Sequence, residues 1–233
     1  MPDLPFALHI PDGFLSNDVA AGAAILAVLA VGYALRVANR DLDEDRVPLL
    51  GVLAAFIFAV QMLNFPVAGG TSGHLLGATL AAVLLGPWLA CLVMAVVLTA
   101  QAFVFADGGI TALGANVLNM GVIGALLAGV MLGTLARTLP KTRGAFFASV
   151  AVVSWLAVML GATATSLELA MSDTIPLGTA LPAMLGVHAL IGIGEAVITV
   201  AAVSAVLASR PDLVAVPIPA LERSAPLRPQ EMT

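Results

Sequence analysis

Residues 47–106 read VPLLGVLAAFIFAVQMLNFPVAGGTSGHLLGATLAAVLLGPWLACLVMAVVLTAQAFVFA and contain no charged side chain. A transmembrane helix needs about 20 predominantly apolar residues, so a single helix cannot account for this run. Turn-forming residues interrupt it at 64–66, 69–73 and 86–87. The stretch therefore predicts three helices that enter or cross a membrane, and the middle one is short.

The rest of the chain has the same character. Of its 233 residues, 61% are hydrophobic and only 10% are charged, whereas soluble domains carry about 25% charged residues. We predict an all-α polytopic membrane protein with about seven transmembrane helices. The predicted helices lie near residues 18–38, 48–65, 72–85, 88–106, 113–136, 144–167 and 183–208.

The basic residues predict the orientation, because Lys and Arg concentrate on the cytoplasmic side of membrane proteins. With seven spans and the N-terminus outside, all of them fall on the cytoplasmic side. They are Arg36, Arg40, Arg46, Arg137, Lys141, Arg143, Arg210, Arg223 and Arg228. The chain then divides into an outer segment at 1–16 that contains His9, a membrane domain at 17–209 and a flexible cytoplasmic tail at 210–233.

The predicted third helix, 72–85, is too short to cross a bilayer alone. Fourteen residues rise roughly 21 Å at 1.5 Å per residue, against a hydrocarbon core of about 30 Å. Irregular backbone at membrane depth is tolerated only inside protein or beside a cavity. We therefore expect His74, one turn into this helix, to be recessed in a cavity open to the outside.

The chain has three histidines, His9, His74 and His188, and the orientation places all of them in the outer half. Imidazole is a good ligand for nickel, cobalt, copper and zinc. A single histidine is more often structural, but three on one side favour a metal site. All three histidines are therefore candidate metal ligands.

Further polar side chains are predicted near that level. They are Gln61, Asn64, Gln101, Asn116 and Asn119. Such amides could orient metal ligands. Alternatively, they could line a water-filled vestibule or make hydrogen bonds between helices. Glu195 is the only charge deep in a predicted span, and for it we favour a structural or coupling role over direct ligation.

Several functions lack sequence support. The single Cys91 excludes a disulfide framework or a thiolate cluster. No GxxxxGK[ST] loop is present, so this chain is not expected to bind a nucleotide. Catalytic motifs are missing as well, and few basic or aromatic residues are available for nucleic acid.

Small residues on the first helix are spaced for close helix contact. They are Ala20, Ala24, Ala30 and Ala34. This face could couple the chain to a partner subunit, or it could serve packing within the bundle, as could Gly129 and Gly133.

Several blocks of sequence, in this order, resemble the cobalt/nickel substrate-binding (S) components of energy-coupling factor transporters, the CbiM/NikM family. They are HIPDGFL at 9–15, GTSGHLLG at 70–77, DGG at 107–109, LGAN at 113–116, NM at 119–120 and HALIGIGE at 188–195. The resemblance implies an S-component bundle with an extra N-terminal helix. It also implies a transmembrane coupling subunit, two ATP-binding cassette ATPases and often a small accessory membrane subunit as partners.

The family resemblance also implies a ligand set for Ni(II) or Co(II), between which the sequence does not choose. The set comprises the terminal amine, the backbone nitrogen and side chain of a histidine in position two, and the histidine of the Gly-His block. His9 and His74 match the two histidines, but His9 does not stand in position two. Either translation starts at Leu8, or the extension is real and other ligands complete the site; the intact mass of the purified protein distinguishes these possibilities.

Three other functions stay open from the sequence. An S component for an organic nutrient would need a large apolar cavity with aromatic residues. For a membrane scaffold that transports nothing, His74→Ala would leave metal accumulation unchanged. An intramembrane enzyme could use His188 and Glu195 as acid and base.

Overall fold

A computed structural model describes residues 9–67 and 71–216, and within these ranges the chain folds into seven main helices and one β-hairpin. The helices are α1 (Asn17–Asp41), α2 (Val47–Gln61), α3 (Ala78–Leu85), α4 (Pro87–Phe105), α5 (Leu113–Thr138), α6 (Arg143–Met171) and α7 (Leu177–Ser209). The hairpin pairs β1 (Asn64–Val67) with β2 (Thr71–His74) in antiparallel register. The predicted all-α membrane fold is confirmed.

Five of these helices, α1 and α4 to α7, are long and apolar enough to span a membrane by themselves. Helix α2 has 15 residues and α3 has eight. At 1.5 Å per residue, α3 rises only about 12 Å. The seven predicted helices are therefore all present, but two of them fall short of a full span.

The prediction for the third helix was wrong at its start. Residues 71–74 are extended and pair with 64–67, and the helix begins only at Ala78. Gly77 stands before it with a φ of +73°, a left-handed conformation that separates strand from helix. His74 therefore lies in β2, and the argument that placed it in a first helical turn does not hold.

Helix α3 is the centre of the bundle, and all eight of its residues are buried. Near its C-terminal end, the carbonyl of Val83 accepts hydrogen bonds from the backbone N–H groups of Ala215 and Val216, at 2.9 and 3.2 Å. This end of α3 therefore lies beside the chain that follows α7. The hairpin precedes the other end of α3, so the two ends of α3 mark opposite ends of the bundle.

We call the end that carries His9, the hairpin and Asp107 the histidine end, and the opposite end the basic end. The helices alternate in direction. Trp88, at the start of α4, packs against Tyr33 in the second half of α1, with ring centroids 4.5 Å apart and the rings inclined by 57°. The described basic residues, from Arg36 to Arg210, all lie at or near the helix ends of the basic end.

Helix α7 begins at Leu177, earlier than the predicted residue 183, and continues through Pro182. Proline is tolerated in membrane helices where neighbouring groups satisfy the freed carbonyl. Helix α7 packs on α6, where the indole of Trp155 donates to the carbonyl of Ala189 at 3.0 Å. A Cβ on Gly192 would lie 2.8 Å from the same indole, so glycine permits this close approach.

The small-residue face of α1 packs largely within the chain. Ala34 is fully buried, and the backbone of Ala24 lies so close to Gly114 on α5 that a Cβ on that glycine would collide with it. Ala20 and Ala30 are partly buried. These contacts agree with internal packing, the alternative given above, and a coupling role for this face stays a prediction. On α5, Gly129 packs against Pro87, whereas Gly133 has open space around it.

Candidate metal-binding site

The segment that carries His9 is fixed to the start of α5 by its neighbour Ile10. The backbone N–H of Ile10 donates to Oδ1 of Asn116 at 3.1 Å, and Nδ2 of Asn116 donates to the Ile10 carbonyl at 3.2 Å. The same carbonyl accepts from the N–H of Gly109 at 2.9 Å. Both Ile10 and Asn116 are buried. A chain segment of little regular structure is thereby held at one position.

Asp12 provides a second attachment of this segment. Its carboxylate accepts hydrogen bonds from the hydroxyl and the backbone N–H of Thr111. These bonds, with the hydroxyl contributing most, hold the pKa of Asp12 below its ordinary value. A Cβ on Gly109 would collide with the backbone of Asp12, so the loop needs glycine there. Further along, the hydroxyl of Thr174 donates to the carbonyl of Phe14.

The structure brings together the two histidines singled out from the sequence. The ring centroids of His9 and His74 lie 4.7 Å apart, with the rings inclined by 63°. His9 is buried, with 6% of its surface exposed, and His74 is partly buried. Two imidazoles at this separation can bind one small cation if their nitrogens turn toward it.

Both imidazole rings have a nitrogen lone pair that is available to bind a metal. Nδ1 of His74 lies 2.8 Å from the carbonyl of Leu75, which can only accept, so Nδ1 carries the proton and Nε2 is left unprotonated. Neither ring nitrogen of His9 has a hydrogen-bond partner within the described parts of the chain. Its closest acid is Asp107, whose Oδ1 lies 3.4 Å from Nδ1. A buried polar atom without a partner is typical of a site that binds an ion or water.

The end of α4 sets the position of Asp107 and of His9. Ala106 has a φ of 53°, which ends the helix, and the N–H of Asp107 then donates to the carbonyl of Gln101 at 2.9 Å. Gly108 has a φ of +94°, and a Cβ there would lie 2.9 Å from Cβ of His9. Asp107 and Gly108 are therefore packed closely against the His9 side chain.

His188 lies against the strand that carries His74. A Cβ on Gly73 would lie 3.0 and 3.1 Å from Cε1 and Nε2 of His188. The Nδ1 atom of His188 lies 2.7 Å from the carbonyl of Met184 and donates to it. Because α7 begins at Leu177, His188 lies well inside the helix and not in its first turns as predicted. All three histidines nevertheless meet at the histidine end.

The other predicted polar residues have separate partners. Gln61 ends α2, and its Nε2 donates to the carbonyl of Leu76 at 2.9 Å. Asn64 lies in β1, opposite His74, and not at the end of a helix as predicted. Nδ2 of Asn119 donates to Glu168 at 2.7 Å and to Thr165 at 3.2 Å.

Gln101 is fully buried near the end of α4. Neither its amide oxygen nor its amide nitrogen has a partner among the residues that the structure describes. The prediction that Asn116 and Asn119 begin the fifth helix agrees with the structure, although Asn119 lies in a π-helical stretch, Leu118–Leu127. Such stretches are frequent at functional sites.

Glu195 is buried and binds the backbone before α3. Its Oε2 accepts from the N–H of Leu76 at 2.8 Å and its Oε1 from the N–H of Gly77 at 2.7 Å. Both oxygens are thus engaged by protein, away from the two imidazoles. This contact agrees with a structural or coupling role. It does not support an acid–base pair with His188, whose Nδ1 is engaged elsewhere.

Sequence reasoning gave Asp107 and Gly108 no individual role, although both lie against His9. The DGG motif at 107–109, directly after an apolar helix, was the sequence feature that could have indicated their role. Within residues 9–67 and 71–216, no three or more His, Cys, Asp or Glu side chains are grouped as a metal site. Two imidazoles would therefore need other donors to complete the coordination of a metal.

The chain is similar to known metal transport proteins. Residues 9–213 match the family described as "Cobalt uptake substrate-specific transmembrane region", CbiM. The chain is 34% identical to a cobalt transport protein CbiM of Sorangium cellulosum, over 88% of this chain and 94% of that protein. It is 37% identical to a fused nickel transport protein NikMN of Rhodobacter capsulatus, over 96% of this chain and 67% of that one.

A solved structure has the same fold. A crystal structure titled as a truncated transition metal transporter superposes with a TM-score of 0.78 at 34% identity. The match covers 86% of this chain and 98% of the other. The helical bundle described above is thus the fold of a known membrane transporter.

Proposed function

The chain belongs to the CbiM family of cobalt uptake substrate-specific transmembrane regions and is a membrane component of cobalt or nickel transport, and we propose that it captures Ni(II) or Co(II) between His9 and His74. The observation that carries this proposal is the 4.7 Å separation of the two rings. Imidazole nitrogen is a favourable ligand for both ions. The Nε2 atom of His74 and the unprotonated nitrogen of the neutral His9 ring supply the lone pairs.

The remaining donors come from the backbone near His9 in this proposal. The family resemblance implies nitrogen ligands from the amide of the histidine and from the terminal amine, which is next to His9 only if translation starts at Leu8. The double hydrogen bond between Asn116 and Ile10 supports this reading, because it fixes the backbone one residue beyond His9. Four nitrogen donors in a plane would suit Ni(II).

The proposed direction of transport is inward, across a bacterial or archaeal plasma membrane. The described basic residues lie at or near the helix ends of the basic end, which the positive-inside rule places in the cytoplasm. The histidine end then faces outward and carries Asp12, Asp18, Asp107, Glu168 and Asp173. This excess of negative charge would attract cations toward the site.

Energy for release inside is proposed to come from partner subunits. The sequence has no nucleotide-binding loop, so ATP would be hydrolysed by two cassette ATPases joined through a transmembrane coupling subunit. A small accessory membrane subunit completes the proposed assembly. The chain itself acts as the substrate-binding subunit and not as an enzyme.

Nickel binding to the purified full chain tests this proposal. His9→Ala and His74→Ala are each expected to abolish binding in equilibrium dialysis while the protein still elutes as a folded monomer or oligomer. Leu190→Ala, at a side chain on α7 that is 72% exposed, is the neutral control. His188→Ala should weaken binding without abolishing it, because this ring supports the strand that carries His74.

The outcomes also separate the alternatives. Unchanged binding by either His9→Ala or His74→Ala would refute the site. Loss of transport in cells without loss of binding would instead place the defect in the coupling to partner subunits. A scaffold that carries no metal would show no bound nickel in the unaltered chain.

A further inference from the structure

The carboxylate of Glu195 accepts two backbone hydrogen bonds and is not one of the proposed metal ligands. It is 3% exposed, and its two oxygens accept from two consecutive backbone N–H groups, those of Leu76 and Gly77. A buried carboxylate is costly unless it is fully hydrogen-bonded. Both of these bonds are made to the short segment that links His74 to α3.

This segment has few bonds of its own. Gly77, the residue directly before α3, makes no side-chain hydrogen bond that caps the helix. The N–H groups at the start of a helix have no acceptor within the helix. Glu195, from a distant helix, supplies an acceptor for the N–H of Gly77, the residue directly before α3, and another for the N–H of Leu76. Its negative charge also lies at the positive end of the α3 dipole, which favours the ionised carboxylate.

Helix α7 contacts the same segment at successive turns. Ile191 and His188 lie against Gly73 in β2, and a Cβ on Gly194 would lie 3.8 Å from the side chain of Leu75. Opposite, Gln61 of α2 donates to the carbonyl of Leu76. His74 is therefore carried by a segment held between α7 and α2, and Glu195 makes the only charged bonds to it among the contacts that the structure describes.

We propose that Glu195 is a positioning residue that holds the His74 imidazole opposite His9 by bonding the backbone of Leu76 and Gly77 from α7. This inference rests on the proposed metal-binding function and adds that the affinity of the site depends on the position of α7. Only Leu75 lies between His74 and Leu76, so a shift of the segment moves the imidazole directly. A displacement of α7 would then separate the two rings and release the ion.

Nickel affinity and the absorption spectrum of bound nickel test the role of Glu195 in the full chain. Glu195→Gln keeps the size of the side chain but replaces one acceptor by an N–H₂ group, which cannot accept from a backbone N–H. We expect a 10- to 100-fold loss of nickel affinity, the usual effect of removing a group that orients a ligand. The visible absorption band of bound nickel should shift because the imidazole is no longer held in place.

Two further variants give the matched comparison. Glu195→Asp keeps the charge on a shorter side chain and should restore part of the affinity and the native spectrum. Glu168→Gln alters another buried carboxylate at the histidine end, one bonded by the Asn119 side chain and not by the backbone next to His74. It should change nickel affinity less than about twofold, which separates a local effect on His74 from a general loss of stability.

The results distinguish this inference from the function on which it rests. Nickel binding that is lost in His74→Ala but unchanged in folded Glu195→Gln overturns the role of Glu195 alone. Binding that is unchanged in His74→Ala overturns the metal site itself. If Glu195→Gln does not fold, Glu195→Asp decides, and native affinity there overturns the inference. If neither variant folds, Glu195 acts on folding and the inference is equally overturned.

Discussion

The side chain of Asn116 bonds both backbone polar groups of Ile10, at 3.1 and 3.2 Å, and so holds the segment of His9 against α5. We predict that Asn116→Ala weakens nickel binding, because the buried N–H of Ile10 loses its acceptor and the segment loosens. Leaving a buried donor unsatisfied costs about 1–3 kcal/mol, so the melting temperature in detergent should fall as well. Calorimetric titration and thermal unfolding measure the two effects.

Asn116→Asp is the matched variant for this prediction. It keeps an acceptor for the N–H of Ile10 but loses the donor to its carbonyl, which Gly109 also bonds. Its loss of nickel affinity should therefore be smaller than that of Asn116→Ala. Equal affinity in Asn116→Ala and the unaltered chain would show that this contact does not position His9.

Gly108 is predicted to be intolerant of a side chain. Its φ of +94° is costly for any other residue, and a Cβ would lie 2.9 Å from Cβ of His9. Gly108→Ala should displace the imidazole and reduce nickel affinity by about tenfold or more. Gly133→Ala is the control, since a Cβ there meets nothing within 4 Å. Similar affinities in the two variants would contradict the proposed fit between Gly108 and His9.

Asp12 gives a prediction about pH. Hydrogen bonds from Thr111 lower the pKa of Asp12, so the stability that they contribute is present above the ordinary carboxyl pKa and is lost as the pH falls through the lowered value. Asp12→Asn should therefore speed proteolysis of the segment before α1. The difference from the unaltered chain should stay constant between about pH 5 and pH 8. A difference that disappears within this range would show that another group titrates there.

The orientation of the bundle can be tested by cysteine labelling in intact cells. Ile110, which is 54% exposed, lies at the histidine end, and Asp212 lies at the basic end with 60% of its side chain exposed. A membrane-impermeant maleimide should label Ile110→Cys in intact cells and Asp212→Cys only after permeabilisation. The native Cys91 is buried and should stay unlabelled. The reverse pattern would place the histidine end in the cytoplasm.

The sequence predicted the helices well because the hydrocarbon core imposes a simple rule on composition. The charge-free stretch 144–167 appears in the structure as α6, which begins one residue earlier and ends four residues later. The starts of α3 and α7 were misplaced. A β-hairpin inside an apolar run has no distinct pattern of its own. The predicted start of α7 at residue 183 directly follows Pro182, a residue that the membrane tolerates within a helix.

The pairing of His9 with His74 could be predicted from the motif resemblance. The contacts that hold these two side chains in place could not be predicted. Asn116 was expected near the site as a polar side chain, but its bonds to the backbone of Ile10 depend on how two distant segments meet. Glu195 gave a signal as a lone intramembrane charge, without an indication of its partners. Backbone N–H groups carry no sequence signature, so the contact with Leu76 and Gly77 could not be predicted.

X-ray absorption at the nickel edge of the loaded, purified chain tests the central claim most directly, because scattering within imidazole rings reports how many histidines bind the ion. We predict two imidazoles per nickel in the unaltered chain, and no bound nickel in His9→Ala or His74→Ala. A spectrum without imidazole scattering, or one that keeps two imidazoles in His74→Ala, would contradict it.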